Sequence, residues 1–183
     1  MKKAFLCVAA LCSVVVCAGM LAYFHPATIG SSEQESSYFL DTLETLGDSA
    51  LAARDVPVGA LLLAGQDIIG TGYNTVRRDG NAGGHAEIVA ISGAIGRLGI
   101  DGFKRLNRDS LVLVTTFEPC AMCRGAIVEY NIRKVRILKS KPMLSLLRED
   151  FRMFRYYWTR TVSGPASLQD TLFRRHPEYH GNE

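Results

Sequence analysis

The chain opens on a nearly unbroken apolar run from Ala4 to Phe24, interrupted only by Ser13 and glycine. Beyond it the apolar positions become periodic. Phe39, Leu43, Leu46 and Ala50 recur at i, i+4, i+7 and i+11, which is one face of a helix, and Pro57 closes that segment. Val58 to Leu63 is a continuous apolar run of strand length, and Ile68 to Tyr73 returns after a turn at Ala64-Gly65-Gln66-Asp67, so the pair reads as a hairpin. A polar, glycine-rich loop follows from Asn74 to Gly84. Ile88, Ile91, Ile95 and Leu98 then mark a helix face, stopped by Gly99. Leu111 to Val114 has the composition of a buried strand. Pro119 stands where a helix begins, with Met122, Ala126, Ile127 and Tyr130 on its inner side. Val135 to Leu138 is a short fourth strand. Leu144, Leu147, Phe151, Phe154 and Trp158 line one side of an amphipathic helix, and a last short helix covers Ser167 to Arg175. The order α-β-β-α-β-α-β-α implies a layered α/β domain with helices on a mixed sheet.

The first run changes the picture of where that domain sits. At 1.5 Å rise per residue, about 20 apolar residues span a hydrocarbon core of roughly 30 Å. A secretory signal has an apolar region of only about 7–15 residues. The run therefore favours an uncleaved signal anchor over a cleaved signal peptide or a buried core helix. Lys2 and Lys3 precede it, and Glu33, Glu35 and Asp41 are the first charges after it. The positive-inside rule then predicts a membrane-anchored or secreted protein with its main domain outside the cytoplasm, periplasmic in a bacterium. The expected organisation is a membrane segment at 1–24, a serine-rich linker with Pro26 and Gly30 at 25–36, and one domain at 37–183.

A formal charge of +3 is too small to argue for nucleic acid by itself. Cys7, Cys12 and Cys17 fall in the apolar run, so only Cys120 and Cys123 remain, too few for a disulfide framework. Their C-x-x-C spacing raises metal or redox chemistry instead. His85-Ala86-Glu87 and Pro119-Cys120-Ala121-Met122-Cys123 together match the H-x-E…P-C-x-x-C signature of zinc nucleobase deaminases. Both halves stand at the start of an expected helix, where free N–H groups and partial positive charge stabilise thiolates. Cys120 and Cys123, three apart, share one helix face and reach one ion. His85 is the third ligand, and the fourth tetrahedral position is left for water. Glu87 is not a ligand in this reading but the proton shuttle. A structural zinc would want a fourth protein ligand, yet His25, His176 and His180 stand at no ligand spacing. A redox pair would need neither His85 nor Glu87. Phe117 is a candidate lining residue or an ordinary core aromatic.

From about Tyr38 to Leu138 the chain resembles the cytidine deaminase superfamily, and most of all its tRNA adenosine deaminase and guanine deaminase branch. Val56-Pro57-Val58-Gly59-Ala60, Gly72-Tyr73-Asn74, His85-Ala86-Glu87-Ile88 and Glu118-Pro119-Cys120-Ala121-Met122-Cys123 carry the resemblance. It implies a three-layer α/β/α fold around a central mixed sheet, a zinc cofactor and a homo-oligomer. It also implies that Asn74 hydrogen-bonds the substrate ring or sugar and that the Ala86 backbone holds the base. Two segments depart from the branch. Arg77 to Gly84 lacks the D-P-T-A pattern of the tRNA enzymes, and no glycine-rich segment follows Leu138. Both lie where substrate is chosen.

Between Arg124 and Arg175 there are 12 basic and 4 acidic residues, and Arg148, Arg152 and Arg155 form a stripe opposite the apolar side of their helix. Such a stripe contacts RNA phosphates, faces solvent, or lies against anionic lipid. With the domain expected outside the cytoplasm, a free nucleobase or nucleoside is the preferred substrate, deaminated with release of ammonia. The alternatives are adenosine-to-inosine conversion in tRNA, a toxin-like deaminase, and a membrane-anchored zinc module without catalysis.

Overall fold

The computed structural model describes residues 35–161 and 166–175. The expected membrane segment at 1–24 and nearly all of the linker lie outside the described residues. No helix among the described residues is long and apolar enough to cross a membrane. The chain divides into two compact units, Met1–Leu40 and Asp41–Glu183. In the first, the described residues end in the opening turn of helix α1 (Ser37–Ala52), with the Phe39 N–H donating to the Ser36 carbonyl at 3.0 Å. The second holds the rest of α1 and everything discussed below.

Strands β1 (Gly59–Ala64) and β2 (Asp67–Tyr73) form the expected hairpin, with a bulge between Leu62 and Leu63. Gly65, at φ 67°, occupies the left-handed turn position that favours glycine. The 74–84 loop contains one short helical turn, α2 (Val76–Asp79), ahead of the long helix α3 (Ala86–Lys104). Strand β3 (Leu111–Thr115), helix α4 (Ala121–Glu129), strand β4 (Lys134–Ile137) and helices α5 (Met143–Thr159) and α6 (Ala166–Arg175) complete the order. The sheet runs β2-β1-β3-β4, antiparallel except for the parallel β3–β4 pair. It is therefore the mixed sheet expected from the sequence. Strand β1 lies in the interior of the sheet, and this is why its apolar run is unbroken rather than alternating.

Glycine and alanine decide how closely the helices sit. Ala60 faces Gly72 across the hairpin and Gly59 faces Tyr73, so Gly59 and Gly72 point to opposite sides of the sheet. A Cβ on Gly59 would meet the Leu43 carbonyl oxygen and the Leu46 Cβ of α1, both at 2.9 Å. A Cβ on Gly72 would collide with the Ala86 carbonyl oxygen and lie 2.6 Å from Ala90 N, while one on Gly70 would collide with the Ala90 carbonyl oxygen. Helices α1 and α3 thus cover opposite faces. The buried strip of α3 is Ala86, Ala90, Ile91 and Ala94, offset from the isoleucine face expected from periodicity, and Leu98 is exposed. Small side chains at i, i+4 and i+8 let the helix lie almost directly on the β2 backbone, while the larger Ile88 and Ile95 stay half-buried.

Other expectations are adjusted by the structure. Gly99, at φ 70° and ψ 159°, interrupts the helical geometry where the sequence expected a stop, and a further helical stretch resumes beyond this kink to Lys104. Met122 is exposed rather than inward, whereas Ile127 is buried. Helix α5 buries none of its residues, and Phe151, Phe154 and Trp158 stand open to solvent.

Gly72→Ala therefore drives a methyl group into the first turn of α3. The expected outcome is a loss of about 1–3 kcal/mol in stability, with reduced zinc retention because His85 and Glu87 move with that turn. Gly125→Ala is the control, since nothing lies within 4 Å of its added Cβ. Thermal melts of both variants, with metal content measured alongside, check this.

Candidate metal centre and active site

The two helices that matter here begin with the residues that matter. His85 is the N-cap of α3 and Cys120 the N-cap of α4, both in extended conformation. Neither side chain caps its own helix. Both project instead from helix starts whose free N–H groups and dipoles favour anionic ligands. Cys123 follows one turn into α4 and is fully buried. Helix α4 begins beyond the C-terminal end of β3, and Gly72 draws the start of α3 down beside it.

The three side chains converge. His85 Nδ1 lies 3.6 Å from Cys120 Sγ and 3.6 Å from Cys123 Sγ, and the sulfurs are 3.6 Å apart. With Zn–S near 2.3 Å and Zn–N near 2.0–2.1 Å, one face of a tetrahedron has edges of roughly 3.5–3.8 Å. The donor set and its spacing fit zinc. Among the described residues this is the only group of three or more histidine, cysteine or carboxylate side chains placed to hold a metal ion. Burial pushes the Cys123 thiol well above its usual range, and the neighbouring Glu87 and Cys120 add to the rise. A thiolate there needs a cation beside it.

Glu87, in the first turn of α3 and 3 % exposed, stands apart from the ligand triangle. Its Oε2 accepts from the Cys123 thiol at 3.4 Å. His85, Glu87 and Cys120 all line one cavity of about 320 Å³, within the usual size range for small-molecule sites. Asn74 and Phe117 line it too. Phe117 packs against the apolar cluster of Val58, Ala60, Ala86 and Ala90. The buried Asn74 Oδ1 accepts the Ala86 backbone N–H at 2.9 Å. The structure thus pairs with each other the two residues that the resemblance assigns to substrate: Asn74 caps the first turn of α3, and the Ala86 N–H is already engaged.

Sequence reasoning missed part of the wall. Asp55, Val76, Arg77, Glu118 and Lys141 also line the cavity. The buried Asp55 accepts the backbone N–H groups of Arg77 at 2.7 Å and, more distantly, Arg78 at 3.4 Å, and so holds α2 against the pocket. An Asp some twenty residues before the amides it caps leaves no periodic or local signal. Lys141 gives none either, because its partner lies eight residues away across a turn.

Comparison with known proteins places this geometry. The cytidine and deoxycytidylate deaminase zinc-binding region matches residues 33–139. A tRNA(Ile)-lysidine synthase of Deinococcus deserti is 34% identical over 128 residues, covering 68% of this chain and 23% of that protein. A tRNA-specific adenosine deaminase of Buchnera aphidicola is 38% identical over 96 residues, covering 49% of this chain and 60% of that protein. The chain thus spans less than two-thirds of these curated relatives. The guanine deaminase structure from Bacillus subtilis superposes with a TM-score of 0.57 at 25% identity, over 80% of this chain and 99% of that one.

The relatives also correct an expectation. A membrane-anchored or exported catalytic domain conflicts with relatives named for tRNA, and no helix among the described residues could serve as the anchor. The length of the apolar run and the charges flanking it carried that expectation, and the run itself lies outside the described residues.

If the triangle holds zinc, His85→Ala, Cys120→Ser and Cys123→Ser each lose most of the bound metal, while Glu87→Gln keeps it. Metal analysis of the purified variants checks this. Loading the metal-free protein at neutral pH should also release a proton from Cys123, because its raised pKa keeps the thiol protonated until the metal binds. Calorimetry in two buffers of different ionisation enthalpy measures the release.

Proposed function

The chain belongs to the cytidine and deoxycytidylate deaminase family, and on that premise we propose that it is a zinc-dependent hydrolase that deaminates an amino-substituted nucleobase or nucleoside and releases ammonia. The single observation that carries the reading is the equal-sided His85–Cys120–Cys123 triangle opening, beside a separate buried carboxylate, onto one cavity. A purely structural zinc has no use for Glu87 or for an open coordination position. The opposite-face packing of α1 and α3 supports the three-layer α/β/α architecture of the family.

His85, Cys120 and Cys123 would hold the ion. When bound, zinc supplies the Lewis acidity that makes water an effective nucleophile near neutral pH. Glu87 would take one proton from that water and deliver it to the ring nitrogen, then take the remaining hydroxyl proton and pass it to the departing amine. The amino-bearing carbon gains an oxygen and loses ammonia, with no change in oxidation state and no other reactant. Asn74 keeps the first turn of α3 in place and stands at the cavity wall, where its amide would meet the ring or sugar. Phe117 offers an apolar surface to the base.

Adenosine in tRNA is the second reading. The Buchnera relative is named for that reaction, and Arg148, Arg152 and Arg155 are exposed together on α5, where phosphates could reach them. A homo-oligomer accords with the family and with the uncovered apolar side of α5.

The decisive experiment measures ammonia release by the zinc-loaded full chain from free bases, nucleosides and a tRNA. Release from one class, reduced about 10²–10⁴-fold in Glu87→Gln with zinc retained, is the expected result. Release from tRNA alone, weakening steeply as salt rises, would select the second reading. Silence across all three classes with zinc bound would overturn the enzymatic assignment.

A further inference from the structure

One wall of the cavity is built by a segment that the family motifs do not reach. Lys141 lines the cavity from just before α5. Its Nζ donates to Glu149 Oε1 of α5 at 2.8 Å, and both side chains are only 14 % exposed. The same Nζ lies 5.7 Å from the centre of the Phe117 ring, within cation–π range. The Arg124 guanidinium, on the helix that carries Cys123, lies 3.5 Å from Glu149 Oε2 and 2.7 Å from Asp150 Oδ1. That Oε2 is buried and makes no hydrogen bond among the described residues. Glu149 is therefore held by its pairing with Lys141 on one oxygen and by charge attraction to Arg124 on the other.

These contacts give Phe117 two supports. The Val58, Ala60, Ala86 and Ala90 cluster packs against the ring, and the lysine lies over its face. A half-buried ring without the second support is free to tilt into the cavity or away from it. A buried lysine–carboxylate pair is seldom kept for stability, since apolar side chains of similar size stabilise as well or better. Its value here is directional: it fixes where the ammonium sits.

We propose that Lys141, anchored by Glu149, is a positioning residue that orients Phe117 as the surface against which the substrate ring lies. Through this pair α5 shapes the pocket although it contributes no lining residue of its own. The inference rests on the deaminase reading for its kinetic part and on the structure alone for the orientation of Phe117.

Two measurements on the zinc-loaded full chain test it. The first places 4-fluorophenylalanine at position 117 and follows its ¹⁹F resonance, which needs no substrate. Lys141→Met is expected to shift or broaden the resonance, Glu149→Gln to do so less, and Lys141→Arg to restore the wild-type signal. The second is steady-state kinetics on the best substrate. Lys141→Met is expected to raise KM about five- to ten-fold, with the effect falling on KM far more than on kcat, and Lys141→Arg to recover most of it. Lys141→Met leaves Glu149 buried and unpaired, so the double variant Lys141→Met/Glu149→Met separates folding from positioning. Persistence of the ¹⁹F change and the raised KM in the double variant, with its melting temperature restored, supports the proposal. A wild-type resonance in Lys141→Met, or a double variant with wild-type KM, overturns it. Failure of the deaminase reading would look different: no ammonia from the wild type, with the Phe117 resonance still answering to Lys141.

Discussion

Everything at this site depends on how closely one helix can approach one strand. Gly70 and Gly72 leave the surface of β2 bare, and Ala86, Ala90 and Ala94 give α3 a flat side to lay on it. With any Cβ at position 72, the carbonyl of Ala86 could not stay where it is. That contact sets the depth of the first turn of α3, and with it the positions of His85 and Glu87. The second helix start, at Cys120, is placed by the end of β3. A metal triangle with sides of 3.6 Å tolerates little error in either placement, so a strip of the smallest side chains governs the most demanding geometry in the chain.

The chemistry follows from what this packing encloses. Two thiols, an imidazole and a carboxylate meet at two helix N-termini in a largely buried space. Burial and the neighbouring acid favour the protonated form of Cys123, so its sulfur needs a cation to displace that proton before it can act as a thiolate. Zinc meets that need and turns the same burial to use, because charge interactions strengthen where water is excluded. Glu87 sits beside the His85–Cys120–Cys123 triangle without belonging to it. Asn74 contributes by pinning the Ala86 N–H, so one side chain both caps the helix and borders the cavity.

Around this centre the pocket is assembled from segments far apart in the chain. Asp55 fastens α2 by its backbone amides, and Lys141 brings in the charge of α5. The chain spans less than two-thirds of the curated relatives it matches.

The sequence by itself determined the order of the main strands and helices and the mixed sheet, and it singled out the His85, Cys120 and Cys123 side chains that the fold brings together. It could do so because apolar periodicity is a local property, and because H-x-E and P-C-x-x-C each place their residues within a single helical turn. Only the tertiary structure decided that Ala86, Ala90 and Ala94 share the sheet-facing side of α3 with Ile91, that helical geometry resumes beyond Gly99, and that Asn74 and Ala86 are bonded to each other. It alone brought Asp55 and Lys141 to the cavity. Each of these is a matter of distance between segments, and a closest approach of backbone to backbone leaves no rhythm in the order of residues. The apolar run at the N-terminus marks the same boundary from the other side: length and hydrophobicity describe what a segment is able to do, while its surroundings decide what it does.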